Sequence, residues 1–153
     1  MYSSALWLHS LLRWAVLFTG AIAWFRSIAG GTAKRPWAAK DDLWGLLFTT
    51  SLDTQLLAGL ALYAFLSPFT KIAFQDFGGA MGNASLRFWA VEHLAGMVIG
   101  IALAHVGRVK IRKAQTDARR HRLATIYFGL ALVAICASIP WPGLPVARPL
   151  LRP

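Results

Sequence analysis

The sequence predicts an all-α integral membrane protein, an antiparallel four-helix bundle in up-down-up-down order. Of the 153 residues, 57% are hydrophobic and the mean hydropathy is +0.52, whereas soluble domains contain roughly 45–50% apolar residues. Four apolar stretches, at about residues 5–28, 43–66, 86–108 and 122–139, approach the ~20 residues that cross a ~30 Å hydrocarbon layer. Because the connections are short, consecutive helices are expected to be antiparallel neighbours. Residues 1–153 then form a single membrane domain.

The first stretch is interpreted as a permanent helix and not as a signal peptide. It has no basic segment before it, it exceeds the 7–15 apolar residues of a signal peptide, and it offers no convincing cleavage site. The fourth stretch contains the only cysteine, Cys136, so the sequence offers neither a disulfide framework nor a thiolate metal site.

The basic residues predict the orientation in the membrane. The net charge is +10, and eleven of the basic residues fall on one predicted side, at or after the end of the first stretch and around the loop between the third and fourth: Arg26, Lys34, Arg35, Lys40, Arg108, Lys110, Arg112, Lys113, Arg119, Arg120 and Arg122. The opposite side has Lys71, Arg87, Arg148 and Arg152. The positive-inside rule makes the first side cytoplasmic and both termini periplasmic in a bacterial inner membrane. This placement favours anionic lipid headgroups, and not nucleic acid, as the partner of the charge.

The connections contain recognisable start and stop signals. Residues 30–36 (GGTAKRP) are expected to break the first helix, and Asp41 with Asp42 offers an N-cap for the second. Ser67-Pro68 ends the second helix. A glycine-rich connection, which we expect to be ordered against the bundle, follows it, and the prolines from Pro140 onwards stop the fourth helix.

Ionisable and amide side chains within the apolar stretches are the candidate functional residues, because such groups are costly in a membrane and mark functional sites. They are His9, Arg13, Asp53, Gln55, Glu92, His93 and His105, with His121 at the cytoplasmic start of the fourth helix. Asp53 and Gln55 are equally consistent with hydrogen bonds between helices and with a proton or quinone role.

The histidines divide into an outer and an inner pair. Counting about 1.5 Å per residue from the outer helix ends, His9 lies roughly 6 Å deep, Glu92 and His93 roughly 9–10 Å and Arg13 roughly 12 Å. A haem b between helices needs one axial imidazole from each of two facing helices. The outer pair, His9 and His93, is therefore predicted to ligate haem iron.

Other residues near the outer pair suit the same prediction. Arg13 could pair with Glu92 or with a haem propionate. Gly96 and Gly100 follow His93 on one helix face and Gly20 is in phase with His9, so glycines could line the porphyrin. The alternative for these glycines is close helix packing, and the alternative for His9 is a hydrogen bond to a neighbouring helix.

A second haem on His105 and His121 is an open alternative. His93 and His105 are about 18 Å apart along one helix, which suits two stacked haems, but they point about 120° apart. His121 also follows a basic run, Ala118-Arg119-Arg120, in which a solvated histidine is common.

The chain resembles a group of small four-helix bacterial membrane proteins known as cytochrome b-like. The resemblance spans all four helices and rests on residues 8–14 (LHSLLRW), 55–60 (QLLAGL), 87–93 (RFWAVEH) and 139–143 (IPWPG). It implies haem binding. Four-helix b-type cytochromes would further imply histidine ligation of haem b and electron exchange with quinone. This sequence departs from them in the spacing of His93 and His105 and in having no histidine in the second helix.

These observations support electron transfer first, by a redox subunit that carries haem b and exchanges electrons with quinone or a partner protein. A cofactor-free accessory subunit of a membrane energy-transducing complex is the alternative. A transporter or proton path is less favoured, since the helices are not broken and show no inverted repeat. The sequence contains no nucleophile elbow, P-loop or zinc-binding helix motif. An electron-transfer or accessory subunit, docked to other membrane-complex subunits, is therefore expected instead of a stand-alone enzyme.

Overall fold

The computed structural model describes residues 1–149. These residues form helices and no strand. Arg152, counted above among the outer basic residues, lies outside the described residues, as do the other three of residues 150–153.

Residues 1–149 contain seven α-helices, with a π-helical segment after the second and another before the sixth. The α-helices are α1 (Tyr2–Thr32), α2 (Ala39–Ala61), α3 (Pro68–Gln75), α4 (Phe77–Gly82), α5 (Ala84–Arg87), α6 (His93–Lys113) and α7 (Asp117–Ser138). The π-helical segments are Leu62–Leu66 and Phe88–Glu92.

In the part of the chain that the structure describes, four helical stretches are long and apolar enough to cross a membrane: Tyr2–Thr32, Ala39–Leu66, Ala84–Lys113 and Asp117–Ser138. They contain the four apolar stretches of the sequence, apart from Ile139 at the end of the fourth. The first and third are longer at both ends than hydropathy alone predicts, and the second and fourth are longer at their starts, because helical turns with polar and basic residues continue beyond the apolar segments.

The long helices pack around one core. Helix α1 contacts α2 and α7, α6 contacts α7, and α2 contacts α6, so that α1 and α6 lie diagonally opposite. Phe48 and Phe128 are fully buried at the centre, with ring centroids 5.6 Å apart in a T-shaped contact. Trp24 ties α1 to α7 by donating its indole N–H to the Thr125 carbonyl at 3.0 Å.

The start of α2 corrects one prediction. Asp41 and Asp42 are not its N-cap, because the helix already begins at Ala39 and Ala38 is the cap. Asp41 instead lies one turn inside, where its carboxylate accepts a hydrogen bond from the Ala38 backbone N–H at 2.9 Å and binds Arg26 and Arg35. The carboxylate thereby joins the end of α1 to the start of α2.

The connection between residues 66 and 84 is ordered against the bundle and is mostly helical. Ser67, Asp76 and Asn83 each accept a hydrogen bond from a backbone N–H at the start of α3, α4 and α5 respectively. Pro68 occupies the first position of α3, where a missing N–H is tolerated. Ala73 and Ala80 are buried with Ala90, which anchors these short helices to the bundle.

Candidate functional site

A cavity of about 140 Å³ lies between the four long helices, at the end of the bundle where α1 begins and α7 ends. Its wall is largely apolar, with Val16, Leu52, Met97 and Ile135 among its residues. Its polar side chains include those of His9, Arg13, Gln55, Tyr63, His93 and Arg148. The structure therefore brings four of the candidate residues, His9, Arg13, Gln55 and His93, to one place.

His93 is held by the end of α7. Its Nδ1 lies 2.8 Å from the carbonyl oxygen of Ser138, the last residue of that helix. A carbonyl at a helix C-terminus lacks an intrahelical donor and can only accept a hydrogen bond. Nδ1 therefore carries the proton, and Nε2 of the neutral ring keeps a lone pair available to a ligand. A histidine that binds a metal through one ring nitrogen commonly donates its other ring N–H to a backbone carbonyl, as His93 does here.

His9 is held by Gln55 on α2. The Gln55 Nε2 donates to the His9 backbone carbonyl at 3.0 Å, which fixes the amide orientation, and it lies 3.2 Å from His9 Nε2. Two buried polar atoms of this contact, His9 Nδ1 and Gln55 Oε1, have no hydrogen-bond partner in the structure. Since buried polar atoms are nearly always satisfied, such orphans are typical of a site that takes a ligand or water.

The imidazoles of His9 and His93 lie close together in an edge contact between α1 and α6. Their ring centroids are 6.3 Å apart and their planes are inclined by 71°. Imidazole nitrogens bind metal ions at about 2.0–2.1 Å, so two rings on opposite sides of one ion have centres roughly 6 Å apart. The separation of the rings is therefore compatible with two imidazoles that would hold one metal ion between them.

The two π-helical segments meet beside the cavity. Tyr63, in the first, donates its hydroxyl to the Ala90 carbonyl, in the second, at 2.7 Å. Thr70 on α3 donates to the Tyr63 carbonyl at 2.8 Å. Segments of this kind leave backbone carbonyls without their usual partner and are frequent at functional sites. Here side-chain hydroxyls satisfy two of these carbonyls and bind the ends of α2 and α6 together.

Two arginines contribute positive charge to the cavity wall. Arg13 is buried on α1, one turn from His9. Arg148 lies after α7, where its guanidinium stacks 4.7 Å from the Phe69 ring and 5.1 Å from the Trp89 ring. Both are positioned to attract an anionic group at the cavity.

Glu92 has a different partner from the one considered from the sequence. Its carboxylate receives a hydrogen bond from Arg87 Nε at 2.6 Å, and both side chains are largely exposed. Residues 88–92 form a π-helical turn, which brings Arg87 and Glu92 together five residues apart. Glu92 is therefore not the counter-ion of Arg13.

The three predicted porphyrin-lining glycines lie at helix contacts. A Cβ on Gly20 would meet the Phe48 ring at 2.6 Å, one on Gly96 would meet the Ser138 side chain, and one on Gly100 would meet Ile135 at 2.7 Å. The structure thus supports the close-packing alternative for them. The glycine on the cavity wall is Gly59, where a Cβ would lie 3.1 Å from His9 Cε1.

Replacing Gly100 with alanine is expected to destabilise the bundle by about 1–3 kcal/mol, the usual cost of forcing a methyl group into a packed contact. Thermal unfolding of the detergent-solubilised protein measures the effect. Gly82→Ala is the matched control, since a Cβ there meets nothing within 4 Å. Equal stability of the two variants would contradict the packing role of Gly100.

The inner histidines are not brought together. His105 Nε2 lies 2.8 Å from Asp53 Oδ1 on the outer flank between α2 and α6. His121 is buried on the α1 side of α7, where it packs against Gly30 and Trp37 and lies 3.2 Å from the Arg35 carbonyl. This arrangement gives no support to a second haem between them. Among the described residues, no group of three or more His, Cys, Asp or Glu side chains could hold a metal ion.

Four residues of the site were not identified from the sequence: Gly59, Tyr63, Ser138 and Arg148. Ser138 could have been identified most readily. It immediately precedes Ile139-Pro140, where the predicted end of the helix exposes carbonyl oxygens that can accept hydrogen bonds. Tyr63 and Gly59 lie in an apolar stretch whose pattern does not distinguish the cavity wall from the rest of the core.

No known protein family, curated protein or solved structure matches the chain.

Proposed function

We propose that this is a multi-pass protein of the bacterial inner membrane, an antiparallel up-down-up-down bundle with both termini outside. Two contacts support placing the basic connection after α1 and the basic connection between α6 and α7 at the same end of the bundle. Arg108 near the end of α6 binds Asp42 at the start of α2 at 3.2 Å, and His121 at the start of α7 contacts the connection between α1 and α2. With the positive-inside rule, this end is cytoplasmic.

We propose further that it is a b-type cytochrome-like electron-transfer protein with one haem b, ligated by His9 and His93. The observation that carries the proposal is the separation of 6.3 Å between the ring centroids of His9 and His93, on two different helices. When bound, haem supplies one-electron transfer, with quinone or a partner redox protein as the other reactant. The connections between the long helices add little mass outside the membrane with which to bind a soluble redox partner. This favours a redox subunit within a larger respiratory or photosynthetic complex.

The residues around the cavity have separate roles in this proposal. Ser138 fixes the ring of His93 and its protonation. Arg13 and Arg148 would attract the propionates of a bound haem, and their positive charge would favour its reduced state and so raise its potential. To hold haem, His9 would release its contact with the Gln55 amide nitrogen. The wall would also have to open, because the cavity of about 140 Å³ is smaller than the roughly 300–1,000 Å³ of ordinary ligand sites.

A reduced-minus-oxidised visible spectrum of the purified protein, with haem quantified as pyridine haemochrome, tests the proposal. We expect a b-type spectrum with one haem per chain. Two haems per chain would require a further site at the inner histidines. No haem after expression with ample haem supply would contradict the proposal.

A cofactor-free accessory subunit is the second candidate, and the size of the cavity favours it. A cavity of about 140 Å³ is close to the ~150 Å³ that holds a benzene ring in an engineered protein. In this case His9 and His93 act through their hydrogen bonds to Gln55 and Ser138, which hold α1 to α2 and α6 to α7. The same spectrum separates the candidates, because this one predicts no haem absorption.

Anionic lipid headgroups are the proposed partners of the cytoplasmic end. A second cavity, of about 150 Å³, is lined by Trp37, Asp42, Ile111, Arg112 and Arg120. Its arginines lie in the last turn of α6 and the first turns of α7, the depth at which basic residues meet headgroups. Arg108 pairs with Asp42, so the acidic group in the wall is neutralised.

Replacing both Arg112 and Arg120 with glutamine should reduce binding of anionic phospholipid more than replacing Lys113 and Arg119. Both variants remove two positive charges from the same cytoplasmic segment, but only the first alters the cavity. Retention of phosphatidylglycerol by the detergent-purified protein, measured by native mass spectrometry, gives the comparison. Equal losses would show that binding depends on net charge and not on this cavity.

A further inference from the structure

The chain after α7 forms a short loop that leaves the wall of the cavity and returns to it. Ile139 and Pro140 line the cavity, and so does Arg148. Between them the chain is largely exposed, and it turns at Gly143, whose φ of 95° lies in the left-handed region that favours glycine. The Arg148 backbone N–H donates to the Pro140 carbonyl at 3.1 Å, which closes the loop on itself. Residues 140–148 are called the closing loop below.

Stacking of one side chain joins the closing loop to the rest of the bundle. The Arg148 guanidinium lies 4.7 Å from the centroid of the Phe69 ring on α3 and 5.1 Å from that of the Trp89 ring in the second π-helical segment. The Trp89 ring is in turn 5.6 Å from the imidazole of His93. Arg148 is therefore connected, through a single aromatic ring, to the side of the cavity on which His93 lies.

The closing loop is bound less firmly than the other parts of the cavity wall. Among the described residues, the backbone–backbone hydrogen bonds of residues 139–148 stay within residues 136–148. Elsewhere around the cavity, side chains bond one helix to the next: Gln55 joins α2 to His9 on α1, and Tyr63 joins the two π-helical segments. An exposed segment with few such bonds opens at a lower cost in free energy than the packed helices do.

We propose that the closing loop is a lid over the cavity, held shut by the stacking of Arg148 on Phe69 and Trp89, and that a ligand enters when this stacking is broken. The cavity of about 140 Å³ has to widen before it can hold haem. Movement of the lid widens it and leaves the hydrogen bonds between the long helices intact. The inference rests on the proposed function in that the cavity takes a ligand, but it does not require that ligand to be haem.

Thiol labelling of a cysteine in the cavity tests the lid. Cys136 is the only cysteine, so in a Cys136→Ala background Met97→Cys places a single thiol on the cavity wall. We expect Arg148→Ala to raise the rate at which this thiol reacts with N-ethylmaleimide about tenfold, as the loss of two cation–π contacts implies. Ser27→Cys, a near-isosteric change at a buried position outside the cavity, is the control and should react equally slowly with and without Arg148.

Two further variants separate stacking from charge. Arg148→Lys keeps the positive charge and most of the length but loses the planar group that stacks on two rings, so it should also raise the rate. Arg87→Ala removes a positive charge shortly before Trp89 in the chain, where Arg87 pairs with Glu92, and should leave the rate unchanged.

The rates are measured on the haem-free fraction of each detergent-solubilised variant, and thermal unfolding shows whether the variant folds. Labelling of Met97→Cys that Arg148→Ala does not accelerate would overturn the lid, even if the visible spectrum shows haem. An equal acceleration at Ser27→Cys, or with Arg87→Ala, would also overturn it, because the bundle as a whole or its charge would then control access. Acceleration confined to Met97→Cys and to the Arg148 variants would support the lid, even in a protein that binds no haem.

Discussion

His93→Ala is expected to abolish the b-type haem spectrum while the protein still inserts and folds. The proposed function places iron between His9 and His93, and the Ser138 carbonyl leaves only Nε2 of His93 free to ligate it. A single remaining axial imidazole, in a cavity of about 140 Å³, would not retain haem through purification. The measurement is the pyridine haemochrome content per chain, beside the helical circular dichroism of the same sample.

His105→Ala is the matched control for this variant. It removes a histidine from the same helix, but one that binds Asp53 on the outer flank. We expect it to keep the full haem content, and His9→Ala to lose it as His93→Ala does. If His93→Ala kept its spectrum, the assignment of the axial ligands would be wrong. If His105→Ala lost its haem instead, the iron would lie at the inner end of the bundle.

The membrane helices could be predicted because hydropathy over a whole span is a strong signal. The exact ends could not, since helical turns with basic side chains, such as that of Lys110, Arg112 and Lys113, continue past the apolar segment. The connection after α2 carried its own signals. Ser67-Pro68, Asp76 and Asn83 are ordinary helix-capping residues, but the sequence analysis predicted only that this glycine-rich connection is ordered, and not that it contains three short helices.

The polar residues could be identified from the sequence, but most of their partners could not. Asp53 and Gln55 are two residues apart, which on a helix places them about 200° apart. Gln55 consequently reaches His9 on α1, whereas Asp53 reaches His105 on α6. Which helix lies on which side of α2 depends on how the bundle closes, and that arrangement is not encoded in the periodicity of any one helix. The same reason explains why the glycines, assigned to a cofactor face, lie at contacts with α2 and α7.

The largest loss of stability is expected from Asp41→Asn. The Asp41 side chain is 2% exposed and its carboxylate binds Arg26 Nη2 at 2.8 Å and Arg35 Nη1 at 2.6 Å. The side-chain hydrogen bonds to Asp41 also raise the pKa of Arg35. Removing the charge from one member of a buried ion pair leaves its partners uncompensated, which costs about 3 kcal/mol. Thermal unfolding in detergent measures it.

The neighbouring residue provides the control, and the geometry predicts how far the damage spreads. Asp42→Asn should change stability little, because Asp42 is 49% exposed and makes a single 3.2 Å contact with Arg108. In Asp41→Asn, the connection between α1 and α2 loses its attachment, and the Arg35 carbonyl that lies 3.2 Å from His121 Nε2 can move away. Amide exchange at the start of α7 should therefore increase along with that of residues 33–38. Equal unfolding temperatures for the two asparagine variants would show that the buried carboxylate does not hold these helices together.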